Sequence, residues 1–264
     1  MGPHAKRNTQ GDLIMNNIDR DPFSAALVRN FGHPIFHILL LNKQVMTKFG
    51  IDSQRSVEYP WAITRLNEIM KACKGKAKLK ALDIGVAESL FHYELLHKGM
   101  QVFGIDIRST NVLSPKLLFY QRQLQNTGFP DSRFDLIFCI STLEHIGLSV
   151  YGQDEEDLEA DIKCAAEMHR ILNPHGSIIF TAPFEGKKGF HILESRFERH
   201  YDIERLEKIF PAKIFEWKME AYYYLERSNR SLKYRHYVRE SLPDAVASSK
   251  GDEPNLACLL LGKK

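Results

Sequence analysis

The sequence predicts an α/β fold: a doubly wound, seven-stranded, mostly parallel sheet with an antiparallel C-terminal strand pair, helices on both faces, and an N-terminal helical annex. Three observations predict it. From Leu79 onward short apolar runs alternate with helical segments, which is the rhythm of βαβ units. The last two apolar runs, Phe215 to Leu225 and Leu256 to Leu261, have no helix between them and so should pair antiparallel. Upstream of Leu79 the pattern is helical.

The elements follow in order. Residues 1–20 are polar. Asp21-Pro22 and His33-Pro34 each place Pro at a helix start, and Ile35, Ile38, Leu39 and Val45 follow on a helical face. A third helix starts near Pro60 and carries Trp61, Ile63, Leu66, Ile69 and Met70, before a lysine-rich connector at Lys71 to Lys80. Leu79 to Ile84 reads as the first strand, Ser89 to His97 as a helix and Gln101 to Ile107 as the second strand. Lys116 to Leu124, Phe134 to Ile140 and Ser177 to Ala182 complete five strands. A helix over Asp154 to Leu172 has its acids gathered at its start, where the helix dipole favours them. Ile203 to Ile209 is a further helix. The chain should divide into a helical annex over 1–54 and a main domain over 55–264, with insertions near 184–202 and 227–254.

Composition narrows the class. The 264 residues are 44% hydrophobic and 26% charged, which suits a globular chain able to bury a sizeable core. The 36 Lys and Arg against 33 Asp and Glu leave +3, a balance that does not demand nucleic acid or an anionic membrane. The longest apolar runs fall far short of the roughly 20 residues of a membrane helix. Lys6, Arg7, Asp12 and Asp19 interrupt the start, so no secretory signal is expected. Cys73, Cys139, Cys164 and Cys258 are scattered without metal spacing, which suits a reducing compartment, and a cytoplasmic protein is expected. His33 and His37 are four apart, but Pro34 intervenes and no third ligand stands near in sequence, so no metal is expected.

The chemistry is concentrated at strand ends. The run Asp83-Ile84-Gly85-Val86-Ala87-Glu88-Ser89 passes from strand to helix, the geometry that presents backbone N–H groups to a ligand. Gly85 permits the tight turn. Asp106 ends the next strand, 21 residues after Gly85, the spacing at which a carboxylate accepts bonds from a ribose hydroxyl pair. Adenosine is the ligand these features suggest together. A dinucleotide needs further glycines to admit its pyrophosphate, and Ala87 and Ser89 stand there instead, which argues against a nicotinamide-dependent oxidoreductase.

With LDIGVAES, GIDIR, FPDSRFDLIFCISTLEHIG and MHRILNPHGSIIFTAPF in this order, the chain resembles the class I S-adenosylmethionine-dependent methyltransferases over about residues 58–262. The family's GxGxG is kept only at Gly85. The resemblance implies S-adenosyl-L-methionine as cofactor. It implies that Asp83, Gly85, Ala87, Glu88 and Ser89 line the methionyl part, and that Asp106 and Ile107 hold the ribose and adenine. Gln123 would receive the adenine amino group, Leu124 would flank the ring, Ile140 and Ser141 would pass beneath, and Tyr59 would close over the cofactor.

Glu144 and His145 lie on a turn after the fourth strand, on the catalytic side of such sheets, and His145 is the candidate general base. Lys188, His191, Arg199, His200 and Tyr201 fall in an irregular segment after the fifth strand that would shape the acceptor pocket. Its cations suit an acidic acceptor; the alternative is a surface loop offset by Glu185, Glu194 and Glu198. Where nucleobase N-methyltransferases often carry Asn or Asp followed by Pro-Pro and an aromatic, this chain reads Ile140-Ser141-Thr142-Leu143. Methylation of a small-molecule or glycan-type acceptor is therefore expected, at oxygen, with transfer to nitrogen or carbon as alternatives. The alternatives are an RNA methyltransferase using the basic stretch Arg227 to Arg239 and a non-catalytic S-adenosylmethionine-binding module.

Overall fold

The computed structural model describes residues 22–48, 54–73, 78–87, 89–111, 113–153, 156–195, 197–227, 235–247 and 255–264. Two helices come first, α1 (Pro22–Lys48) and α2 (Arg55–Ala72). α1 bends at Phe31, three residues ahead of Pro34, whose ring cannot accommodate the carbonyl four residues back. α2 begins one turn earlier than expected, so Pro60 sits inside it and not at its first position.

Then follow β1 (Lys80–Ile84), α3 (Phe91–His97), β2 (Gln101–Asp106), β3 (Leu118–Gln121), β4 (Phe134–Ile140), α4 (Ala160–Ile171) and β5 (Leu172–Phe184). The chain continues with β6 (His191–Ile192), β7 (Arg199–His200), α5 (Ile203–Ile209), β8 (Phe215–Arg227), β9 (Arg235–Glu240), α6 (Leu242–Ala247) and β10 (Asn255–Lys263). α3 stops where Gly99 adopts a left-handed φ of 82° and its N–H returns to Leu96 O at 3.0 Å. α5 starts because the Asp202 side chain accepts the Arg205 N–H at 2.7 Å.

The main sheet runs β3-β2-β1-β4-β5-β10-β8-β9. The strands from β3 to β5 are parallel, and β10 and β8 pair antiparallel as expected. The described residues make this sheet eight-stranded, one more than the seven expected. The extra strand, β9, comes from the insertion after β8 and adds to the sheet edge. The segment after β5 is also more ordered than expected: β6 and β7 form a small antiparallel ribbon.

Period-2 alternation sends each strand into two cores. Leu82, Ile137, Phe180 and Leu259 face one cluster with α4 and α5. Ala81, Phe138, Ile179 and Cys258 face the other, where Phe36 of α1, Tyr59 and Leu66 of α2 and Phe91 of α3 pack. Of the two N-terminal helices, α2 lies against β5 and β10, and α1 packs on α2 and α3 and reaches β9.

The α4–α5 layer is held by a buried ion pair. Arg205 meets both oxygens of the fully buried Asp161, at 2.6 and 3.0 Å, and donates to Leu158 O at 3.1 Å. Removing the cation strands a buried carboxylate. Arg205→Ala is expected to lose about 3–5 kcal/mol of unfolding free energy, read from the midpoint of urea denaturation.

Candidate active site

The sheet reverses its winding between β1 and β4, and the crevice beyond the carboxyl ends of these strands is where such sheets bind ligands. Asp83 lies in β1 and is 2% exposed. Among the described residues no donor reaches its Oδ2. Burial pushes its carboxyl up to about 8, against the pull of the Arg55 guanidinium.

At Gly85 the backbone takes φ 78°, and a Cβ there would stand 2.5 Å from Thr142 Oγ1. Glycine is required for both reasons, and the crevice floor is brought against the end of β4. Asp106 ends β2 and accepts the Ala87 N–H at 3.0 Å and the Arg108 N–H at 2.9 Å. The Arg108 side chain also donates to it, Nε to Oδ1 at 3.2 Å and Nη2 to Oδ2 at 3.5 Å, so each oxygen already accepts two donors and a ribose hydroxyl pair would displace that guanidinium. Ser89 caps the next turn, its Oγ accepting the Phe91 N–H at 3.0 Å. The sequence-selected Asp83, Gly85, Ala87, Ser89, Asp106, Ile107, Ile140 and Ser141 thus gather at one crevice. Leu124 is buried, and exposed Gln123 follows Arg122, whose N–H reaches Asp106 O at 2.9 Å. Glu88 lies outside the described residues.

Helix α2 completes the crevice wall. Tyr59 is buried between Phe36 and Phe91, with its hydroxyl turned to Ser89. The fully buried Glu58 accepts Thr181 Oγ1–H at 2.6 Å, the Ser141 hydroxyl, and Arg55 Nη1 at 3.1 Å. Arg55 also donates to Ile140 O at 2.9 Å. Ser141 holds a left-handed φ of 39°, a conformation that costs a non-glycine residue about 1–2 kcal/mol and that these bonds hold in place.

Glu144 and His145 lie on the short turn Leu143–His145 after β4. Glu144 is buried and its carboxyl is raised well above the usual range, by burial first and by Glu198 and Glu58 next. His145 Nδ1 faces Phe197 O at 2.7 Å; a carbonyl only accepts, so Nδ1 carries the hydrogen and Nε2 keeps its lone pair. Burial lowers the pKa of this imidazole. Its ring meets Tyr151 edge-on at 5.4 Å and Phe197 at 4.8 Å. The Arg108 guanidinium lies 4.2 Å over the Tyr151 ring.

The segment after β5 divides. Lys188 is exposed, 3.9 Å from Glu185, and His191 lies half-buried against the His200 ring at 4.9 Å. His200 is buried, with Nε2 donating to Glu198 at 2.9 Å and no partner at Nδ1 among the described residues. Arg199 and Tyr201 are not pocket residues, contrary to expectation. Arg199 is 0% exposed, and its guanidinium donates to Ile146 O at 2.6 Å and Asp157 O at 3.1 Å, stapling the loop from below. Tyr201 is sunk in the core beside Phe180, its backbone paired to Pro183 and Glu185. Arg199 is spent on structure, whereas the buried Tyr201 hydroxyl has no hydrogen-bond partner among the described residues. Of the basic stretch Arg227 to Arg239, residues 228–234 lie outside the described residues, and the rest belongs to β8 and β9.

Sequence reasoning missed Arg55, Glu58, Thr142, Arg108, Tyr151 and Phe197. Glu58 had left a signal: with Ala62 and Leu66 it falls at i, i+4, i+8, so a carboxylate stands on the buried stripe of α2. The absence of a third ligand for His33 and His37 also fails, because the fold brings Glu94 to both rings.

Residues 82–180 match the family model described as a methyltransferase domain. The chain is 25% identical over 188 residues to the ubiquinone biosynthesis O-methyltransferase of Alkalilimnicola ehrlichii, a match covering 64% of this chain and 70% of that protein. A putative sarcosine dimethylglycine methyltransferase from Galdieria sulphuraria superposes at TM-score 0.55 and 13% identity, covering 81% of this chain and 88% of that one. A SAM-dependent methyltransferase from Archaeoglobus fulgidus does so at TM-score 0.51 and 15% identity, covering 78% and 94%. At these identities the two structures establish the shared fold.

The Asp83 carboxyl sets a pH dependence. Its ordinary value is 3.8 and its native value about 8, so the native state holds the extra proton between them. Stability from this group is complete below about pH 4 and is lost as pH rises to 8. His92 acts in the opposite sense at lower pH: burial drops it from 6.5 to about 3, so its contribution grows with pH across that range. Urea denaturation between pH 5 and 9 is expected to show the stability of wild type relative to Asp83→Asn falling up to pH 8 and flat beyond. Parallel curves would show that Asp83 is already ionised.

Proposed function

We propose that this chain, which belongs to the class I S-adenosylmethionine-dependent methyltransferases, methylates a hydroxyl oxygen of a small-molecule acceptor. Its cofactor is S-adenosyl-L-methionine. The observation that carries the oxygen assignment is the lone pair that the Nδ1–H bond to Phe197 O leaves on His145 Nε2, 3.9 Å from Glu144 Oε1, an acceptor for the proton that a hydroxyl must give up. The O-methyltransferase among the relatives supports it.

The residues present fit the cofactor. Asp83 is a buried carboxyl with an orphaned oxygen, and it would take the cationic methionyl end once ionised. Gly85, Ala87 and Ser89 would offer a glycine-tight turn around that end. Asp106 would accept the ribose hydroxyls, Ile107 and Leu124 would pack on the adenine, and Gln123 would face its amino group. Ile140 and Ser141 would form the floor, with Tyr59 closing the side of α2. When bound, S-adenosyl-L-methionine supplies an electrophilic methyl group with a neutral thioether as leaving group.

The chain's own work is then alignment, exclusion of water and one proton transfer. His145 is held by Phe197 O through Nδ1, so its Nε2 is kept as the base. Tyr151 and Phe197 line the same wall and would seat an acceptor of mixed apolar character. Lys188 and His191 would remain as rim groups, and with Arg199 committed to backbone carbonyls an anionic acceptor would find no free buried cation in the segment from β5 to β7 among the described residues.

Calorimetric titration with S-adenosyl-L-methionine and its demethylated product tests the crevice. Asp106→Ala is expected to weaken both by about 10- to 100-fold, the worth of hydrogen bonds to a charged group; unchanged affinity removes the ribose assignment. A screen of hydroxylated metabolites with methyl-labelled donor tests the acceptor. On any acceptor so found, His145→Gln is expected to lower kcat by about 10²- to 10⁴-fold with donor affinity unchanged, and full activity would return the residue to packing.

A further inference from the structure

We propose that His33, His37 and Glu94 form a zinc site that clamps helix α1 to helix α3, remote in role from the methyl donor crevice. His33 and His37 are one helical turn apart on α1 and share a face. The packing of α1 on α3 lays that face against Glu94. Both Nε2 atoms stand 2.9 Å from the same oxygen, Glu94 Oε2, and the three ligand atoms lie within 4.8 Å of one another. The carboxylate is buried, and Lys98 Nζ engages its other oxygen at 3.3 Å, which fixes it and leaves Oε2 to the two rings. The His97 ring stacks on His33 with centroids 3.8 Å apart and planes 13° from parallel, so the orientation of that imidazole is set from behind.

The donor set is the argument for zinc. Two imidazole nitrogens and one carboxylate oxygen are a zinc set, and a tetrahedral ion at about 2.0–2.1 Å from each would separate them by about 3.3 Å. The two 2.9 Å spacings to Glu94 Oε2 open to that by a few tenths of an ångström, while the spacing between the two Nε2 atoms, within 4.8 Å, would settle to it by turns of the imidazole rings. The His33 and His37 side chains are 28% and 45% exposed, so an ion can enter and a water can take the fourth position. The clamp would bear on the crevice only through packing: Phe36 of α1 contacts both Tyr59 and Phe91, at 5.3 and 5.9 Å between centroids.

The test uses the full chain, freed of metal by chelator dialysis and titrated with zinc chloride against a chromophoric competitor. One equivalent is expected to bind, and His33→Gln and His37→Gln are each expected to weaken it at least about 100-fold. His175→Gln, at an exposed position elsewhere, is expected to bind as wild type does. Zinc is expected to raise Tm in wild type and to leave the Tm of the double variant unmoved. Because His37 is exposed, its variant should fold, which far-UV circular dichroism checks independently of donor binding. Failure of wild type to take up one equivalent, or equal affinity in the double variant, overturns the site.

Discussion

The carboxylate of Glu58 is the fastening on which the crevice depends. It is fully buried at the point where α2 crosses the carboxyl ends of β4 and β5, and it is bonded by one partner from each: Ser141, Thr181 and the Arg55 of its own helix. A buried carboxylate so placed is tolerable only with all of these partners, so the helix has one seat. That seat positions Tyr59 against Ser89, sets the Arg55 charge within electrostatic reach of Asp83, and holds Ser141 in its left-handed turn. The N-terminal helices are therefore a wall of the site and share its hydrophobic core.

Electrostatics inside that wall follow from the shortage of water. Asp83 and Glu144 are both carboxyls driven up by desolvation, while His145 is driven down. All three shifts favour the neutral form, as a low-dielectric pocket must. A cationic ligand bound there would draw Asp83 to its ionised form, and the imidazole stays in the neutral form that has a lone pair to offer.

The segment after β5 shows how the same residue types serve different ends. Lys188 stays exposed and His191 half-buried, whereas Arg199 turns inward because the loop from Glu144 to Asp157 presents carbonyls that need donors. Five cations and aromatics in one irregular stretch look alike in sequence. Their directions are set by which backbone groups the fold leaves unsatisfied.

What the sequence determined by itself was the local chemistry: the βαβ rhythm, the Asp83 to Ser89 turn, the Asp106 strand end, and the antiparallel return of the last strands. Each is legible because strand alternation, glycine freedom and strand-end polarity act within a few residues. The tertiary structure alone decided the rest. The meeting of Glu58 with Ser141 and Thr181 spans separations of 83 and 123 residues, and that of His33 with Glu94 spans 61. The eighth strand was hidden because an edge strand needs only one paired side and carries a weak apolar pattern. Contacts of this kind are chosen by how helices seat on a finished sheet, and no periodicity along the chain encodes which polar groups will face one another there.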